Sequence, residues 1–262
     1  MRKSLMAACL LGLSVTAYGD SGPANYLISK TEGASTPMIS TSWGVWDGMI
    51  GLESYMSPYA THELVFEFKS TNYFSPAPIN GNPRDNIGHF AVGVRAGYSA
   101  NGLEGRGVII GNVSGYGVFP NSPCGQTSLK STIAIEHYYG YAGNCVFGPS
   151  TQGPQLQDGI KYRVRVVSSY GGVLFPNNYR TAYDIWQAQP NGSWSHLTGK
   201  SVMEPVNGPT PLGNGYVTPP IVPPLDSQGF FMAEVFSSHA WSVEVTNLVS
   251  KTCSSFTHCT QF

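Results

Sequence analysis

The stretches His62-Glu63-Leu64-Val65-Phe66-Glu67-Phe68-Lys69 and Lys161-Tyr162-Arg163-Val164-Arg165-Val166-Val167-Ser168 decide the fold class. Leu64, Phe66 and Phe68 alternate with Glu63, Val65 and Glu67, and Tyr162, Val164 and Val166 alternate with Lys161, Arg163 and Arg165. Only an extended strand, whose successive side chains point to opposite faces, turns that order into one apolar and one polar face. The same reading predicts strands at Gly88–Ala96, Gly107–Asn112, Thr132–Tyr138, Ala182–Gln189, Trp194–Thr198, Phe230–Phe236 and Trp241–Leu248. Pro190-Asn191-Gly192-Ser193 separates two of these runs with turn-forming residues and predicts a hairpin. No segment carries a sustained helical pattern, and no solenoid or propeller repeat is present.

Seven prolines fall between Pro205 and Pro224. Proline donates nothing to a β-ladder, so 205–224 is expected to be a long surface connection. Charged residues are only 11% of the chain, against 31 Gly, 19 Pro and 12% aromatic residues. That balance suits stiff strands joined by turns and is the opposite of a disordered composition.

Arg2 and Lys3 precede an apolar run from Leu5 to Val15, which ends at Ala17-Tyr18-Gly19. The run is too short to span a bilayer, and small residues stand where a signal peptidase cuts. Residues 1–19 are therefore expected to be a signal peptide, with 20–262 as a single secreted or periplasmic domain. Without Arg2 and Lys3 the 14 Lys+Arg fall to 12 against 15 Asp+Glu, a net charge of −3. Such a balance argues against nucleic acid as a partner, and no later stretch is long and apolar enough for a membrane-spanning helix. Loss of Cys9 leaves Cys124, Cys145, Cys253 and Cys259, an even set suited to an oxidising compartment. Pairing Cys124 with Cys145 and Cys253 with Cys259 is expected from their closeness in sequence. The alternative zinc site lacks C-x2-C spacing and a histidine cluster.

Many strands without helices leave a sandwich or a barrel. The succession Arg106-Gly107-Val108-Ile109-Ile110-Gly111, Ile133-Ala134-Ile135-Glu136 and Leu156-Gln157-Asp158-Gly159-Ile160-Lys161-Tyr162-Arg163-Val164-Arg165-Val166, followed by Tyr183-Asp184-Ile185-Trp186 and Trp194, resembles the concanavalin A-like lectin/glucanase superfamily. The resemblance runs over most of 20–262 but contains no diagnostic motif. It implies an all-β, antiparallel jelly-roll sandwich and frequent carbohydrate recognition. Calcium serves some members of that group, but no D-x-[DN]-x-[DN] loop supports a metal here, and no cofactor is expected.

The glucanases of that superfamily carry a Glu-x-Asp-x-x-Glu strand motif, which this chain lacks. Glu63 and Glu67 would share a strand face about 13 Å apart, beyond the roughly 5–9.5 Å that glycosidase carboxylates require; both are expected to be solvated. No two acidic residues occur at i and i+2, so a catalytic pair must form across strands. A three-residue loop Ser238-His239-Ala240 would set Glu234 opposite Glu244, with Phe231, Ala233, Val235, Trp241, Val243 and Val245 on one apolar face. Polysaccharide lyases of this broad fold use Tyr, His and Arg, and here His89, Arg95, Glu136 and Tyr138 would form such a group if their strands lined one sheet face. An ordinary hydrogen-bonded polar face is the competing reading. G-x-S-x-G, P-loop and H-E-x-x-H motifs are all missing.

Glycan binding requires only aromatic platforms and nearby polar groups. Tyr138, Tyr139, Tyr141 and Asn144 form such a mixture, to which Trp186 and Trp194 add surface unless they join the core, the commoner place for large aromatics. The sequence thus favours a carbohydrate-binding, lectin-like protein with a glycan or polysaccharide partner. A polysaccharide lyase or glycoside hydrolase and a non-catalytic adhesive surface protein are the alternatives; oligomeric state is not encoded legibly.

Overall fold

The computed structural model describes residues 21–31, 38–41, 44–47, 49–52, 61–74, 88–99, 102–112, 131–139, 144–146, 151–170, 178–205, 210–211, 217–218, 228–235 and 240–253. Among these residues the regular structure is antiparallel strand, with no α-helix. The strands are β1 (Ser21–Lys30), β2 (Met38–Thr41), β3 (Gly44–Asp47), β4 (Met49–Leu52), β5 (Thr61–Thr71), β6 (Gly88–Ser99), β7 (Gly102–Asn112) and β8 (Thr132–Tyr139), followed by β9 (Asn144–Val146), β10 (Lys161–Tyr170), β11 (Asn178–Ala188), β12 (Trp194–Pro205), β13 (Thr210–Pro211), β14 (Val217–Thr218), β15 (Gln228–Val235) and β16 (Trp241–Cys253).

Each strand expected from alternation falls on an observed one. β1 to β4 were not expected, because their Gly- and Ser-containing segments carry no clear period. An eight-stranded sheet has the order β12-β11-β10-β5-β16-β1-β2-β3, and a six-stranded sheet the order β4-β15-β6-β7-β8-β9. Within the proline-rich segment, β13 and β14 form a separate two-stranded ladder. The remainder of that connection, the first twenty residues, Tyr141, Cys124 and Cys259 lie outside the described residues.

The expected hairpin at Pro190–Ser193 is present. Ala188 pairs with Trp194, and the Gln189 N–H donates to the Ser193 carbonyl at 2.8 Å. Gly192 takes φ 83°, a left-handed backbone that costs glycine least. Asn191 Oδ1 accepts from the Ser193 N–H at 3.0 Å and its hydroxyl at 2.7 Å, closing the turn.

The expected pairing of β15 with β16 is overturned. β15 lies between β4 and β6, whereas β16 lies between β1 and β5 in the other sheet. Both edges of each strand are already hydrogen-bonded, so Glu234 and Glu244 cannot oppose each other. Glu244 pairs with Leu27 and Lys69, and Glu234 pairs with His89.

The two sheets pack face to face, and the apolar phase of each strand supplies the core. Phe66, Phe68, Tyr162, Val164, Ile185, Val243 and Val245 from the eight-stranded sheet meet Phe90, Val92, Val108, Ile110 and Ile133 from the six-stranded one. Phe68 stacks on Tyr162 at 5.3 Å and meets Phe90 edge-on at 5.6 Å; such aromatic pairs contribute about 0.5–1.5 kcal/mol beyond burial. Two buried tyrosines tie the sheets together. Tyr73 donates to the Ile110 carbonyl of β7 at 2.7 Å, and Tyr183 donates to the Thr151 carbonyl at 2.8 Å and reaches the Ile133 carbonyl of β8 at 3.4 Å. Burial raises both phenol pKa values, so both remain neutral donors.

Asp158, in the loop before β10, fixes the chain leaving β5. Its carboxylate accepts from the Tyr73 and Phe74 N–H groups at 3.0 Å and from the Ser70 hydroxyl at 2.6 Å. The sandwich thereby holds the outer face of the eight-stranded sheet on a rigid support.

Candidate functional site on the eight-stranded sheet

Strand phase decides which side chains reach the outer face. In β11, Tyr183 and Ile185 are buried in the core, so Asp184 and Trp186 point the other way. Partial exposure of Trp186 and Trp194 places both at the surface and settles the core-or-surface alternative for them.

The register assembles the rest. Glu67 pairs with Arg163, Arg163 with Trp186, and Trp186 with His196, giving a row across β5, β10, β11 and β12. In the adjacent row Val65 pairs with Arg165, Arg165 with Asp184 and Asp184 with Gly199. Trp194, opposite Ala188, lies diagonal to Trp186, at roughly 7–8 Å by ordinary sheet geometry.

Glu67 anchors one side of this surface. Arg163 donates to its Oε1 from Nη2 at 2.7 Å and from Nε at 3.2 Å, Lys161 Nζ lies 2.6 Å from Oε2, and Asn247 Nδ2 donates to Oε2 at 3.0 Å. Burial alone would raise the Glu67 pKa, but hydrogen bonds from Lys161, Arg163 and Asn247 outweigh it and hold the carboxyl below its ordinary value. Asn247 reaches Glu67 because it takes φ 55° at the irregularity between Thr246 and Val249, a bulge that re-aims its side chain.

The guanidinium of Arg163 also lies 4.1 Å from the Trp194 ring centroid. Arg165 Nη2 donates to Asp184 Oδ2 at 2.6 Å, and its guanidinium stands 5.5 Å from the Trp186 ring. His196 meets Trp186 edge-on at 5.2 Å, with Nε2 3.3 Å from Asp184 Oδ1. Ion pairs and cation–π contacts thus fix both indoles in orientation.

The carboxylates of this surface do not form a glycosidase pair. Glu67 is ionised and cation-bound, which unfits it as a general acid. By strand spacing it stands roughly 12 Å from Asp184, outside glycosidase separations of about 5–9.5 Å. Among the described residues no group of three or more His, Cys, Asp or Glu is placed to hold a metal ion, and no helix is long and apolar enough to cross a membrane.

Comparison with known proteins finds likeness only among solved structures. No family model matches the chain, and no curated protein matches it. Similar solved structures include the VIP36 exoplasmic/lumenal domain in a Ca2+/Man2-bound form, at 12% identity and TM-score 0.37, covering 85% of this chain and 76% of that one. The potassium-bound Emp46p carbohydrate recognition domain is 7% identical with TM-score 0.35, covering 86% and 88%. Lectin UEA-II complexed with galactose is 12% identical with TM-score 0.33, covering 86% and 85%. Similarity at this level says nothing about ligands; the antiparallel sandwich rests on the strand pairing and core described above.

Other sequence-predicted residues are separated from this surface. Tyr138 pairs with Asn144, Tyr139 with Glu104 and Glu136 with Gly107, all in the six-stranded sheet. Tyr138, Tyr139 and Asn144 therefore belong to a different sheet from Trp186 and Trp194. His89 does not join Glu136: its cross-strand row runs through Gly111 to Thr132. Two strand spacings and four residues along β8 put the two backbones roughly 16 Å apart. Arg95 falls in the register shift between Val94 and Gly97. In the backbone ladder, Cys145 pairs with His137 and Cys253 with Thr61.

Glu63 and Glu67 are not solvated. Glu63 is 0% and Glu67 6% exposed, and the long neighbours Lys161, Arg163 and Asn247 enclose Glu67. The contribution of Lys161, Arg163 and Arg165 was legible in their alternation, whereas that of Asp184 required the phase of β11. Asn247 depends on a bulge that no local pattern announces.

Proposed function

We propose that this chain is an exported, non-catalytic carbohydrate-binding protein that recognises glycan through the outer face of β10, β11 and β12. The carrying observation is the pair Trp186 and Trp194, partly exposed and held by Arg165 and Arg163 on a rigid sheet. Indole faces receive the C–H face of a sugar ring, while charged and polar neighbours meet its hydroxyls. Export is supported by the charged and apolar order of residues 1–19 and by the even cysteine set left after them. Residues 20–262 act in this reading as one domain, and no metal is required.

Retention of the purified protein on a broad panel of immobilised polysaccharides, with simultaneous assay for new reducing or unsaturated ends, tests the proposal. Retention that Trp186→Ala and Trp194→Ala abolish, without new ends, is the expected result. Retention unaffected by both substitutions contradicts the site, and new chain ends contradict the non-catalytic reading.

A further inference from the structure

A second polar feature lies on the same outer face, on β5, β16, β1 and β2. A cavity of about 590 Å³ is lined by Asn25, Leu27, Lys69, Ser242, Glu244 and Thr246 among others. Its floor follows one cross-strand row: Lys69 pairs with Glu244, Glu244 with Leu27 and Leu27 with Ser40. Leu27 is 42% exposed, and Lys69 and Glu244 are also exposed. The lining thus offers a cation, a carboxylate, hydroxyls and one apolar surface, the mixture a polyhydroxylated ligand takes up.

This row continues to the tryptophans. Lys69 pairs with Lys161, and one step beyond the Tyr162 and Gln187 pair the antiparallel register carries it to Ala188, which faces Trp194. Six strand spacings separate Trp194 from Ser40, roughly 29 Å. Asn247 joins the two ends: its side chain donates to Glu67, and its N–H donates to Asn25 Oδ1 at 3.1 Å, on the cavity wall.

We infer that the cavity and the tryptophan pair are two ends of one binding face, which takes an internal segment of a linear, neutral oligosaccharide laid across the strands. This rests on the glycan-binding reading above. Neutrality follows from charge matching: Glu67 is bound by Lys161 and Arg163, Asp184 by Arg165, and Lys69 is opposed by Glu244. Among the described residues of this face, few cations remain uncommitted for a polyanion.

Calorimetric titration tests this with neutral β-1,4-linked gluco- and manno-oligosaccharide ladders, from monosaccharide to hexasaccharide, and an oligogalacturonate of equal length. Affinity is expected to rise with length to the hexasaccharide. Lys69→Ala/Glu244→Ala is expected to weaken the hexasaccharide about tenfold and the disaccharide less than about twofold, with an unchanged unfolding midpoint showing that it folds. Trp186→Ala weakens both. Affinity that stops rising at the disaccharide, or a hexasaccharide indifferent to the double substitution, overturns the extended face while leaving the tryptophan site standing. Tighter binding of the oligogalacturonate overturns the neutral assignment. No binding of any ladder to the wild-type protein overturns the inference for these sugars; if the polysaccharide panel also shows no retention, the glycan-binding reading itself fails.

Discussion

The two sheets use their outer faces differently. In the eight-stranded sheet the strands alternate, with Tyr162, Val164 and Val166 inside and Lys161 and Arg163 outside. In the six-stranded sheet Val108, Ile109 and Ile110 are all essentially buried, as are Ile133, Ala134 and Ile135. Alternation marks a strand with one face in water, and a continuous apolar run marks one covered on both. The recognition surface proposed above lies on the alternating sheet, where Lys161, Arg163, Trp186 and Trp194 reach solvent.

Ile109→Ala separates the two sheets most strongly. It is expected to cost about 2–5 kcal/mol, as Ile110→Ala does, whereas Lys161→Ala costs less than about 1 kcal/mol. Urea unfolding midpoints measure all three. If Ile109→Ala is as mild as Lys161→Ala, the contrast between the faces fails.

Glu67→Gln comes next, with an expected loss of about 1–3 kcal/mol near neutral pH. Because the folded Glu67 pKa lies below its unfolded value, the charged form's contribution is full above the unfolded pKa. It is lost as pH falls through the folded pKa. The stability gap between wild type and Glu67→Gln should therefore narrow on acidification below the ordinary glutamate range. A gap that widens there contradicts the hydrogen-bonded carboxylate. Trp194→Ala is milder than Glu67→Gln for stability, about 0.5–1 kcal/mol for its contact with Arg163. A larger loss of unfolding free energy would make Trp194 part of the structural support.

Much of this architecture could be read along the chain. Period-two runs located the long strands, and the Asn191-Gly192 turn located the β11–β12 hairpin. Sheet membership could not be read, since the residues of β15 and β16 fit one hairpin apolar face as well as two separate sheets. Hydrogen bonding to β4 and β6 on one side, and to β1 and β5 on the other, makes that choice. The site was half legible. Alternation put Arg163 and Arg165 on one face, but the sequence left Trp186 and Trp194 open between core and surface, which only the burial of Tyr183 and Ile185 beside them resolves. The expected clusters around His89 and Glu234 failed because strand order, a non-local property, separated their members while pairing Glu234 with His89.

The most direct test follows the indole N–H signals of the five tryptophans by heteronuclear NMR as a retained oligosaccharide is added. Trp186 and Trp194 are expected to shift with saturable, matching affinities while buried Trp241 stays in place. Binding that moves neither Trp186 nor Trp194 would contradict recognition on the outer face of the eight-stranded sheet.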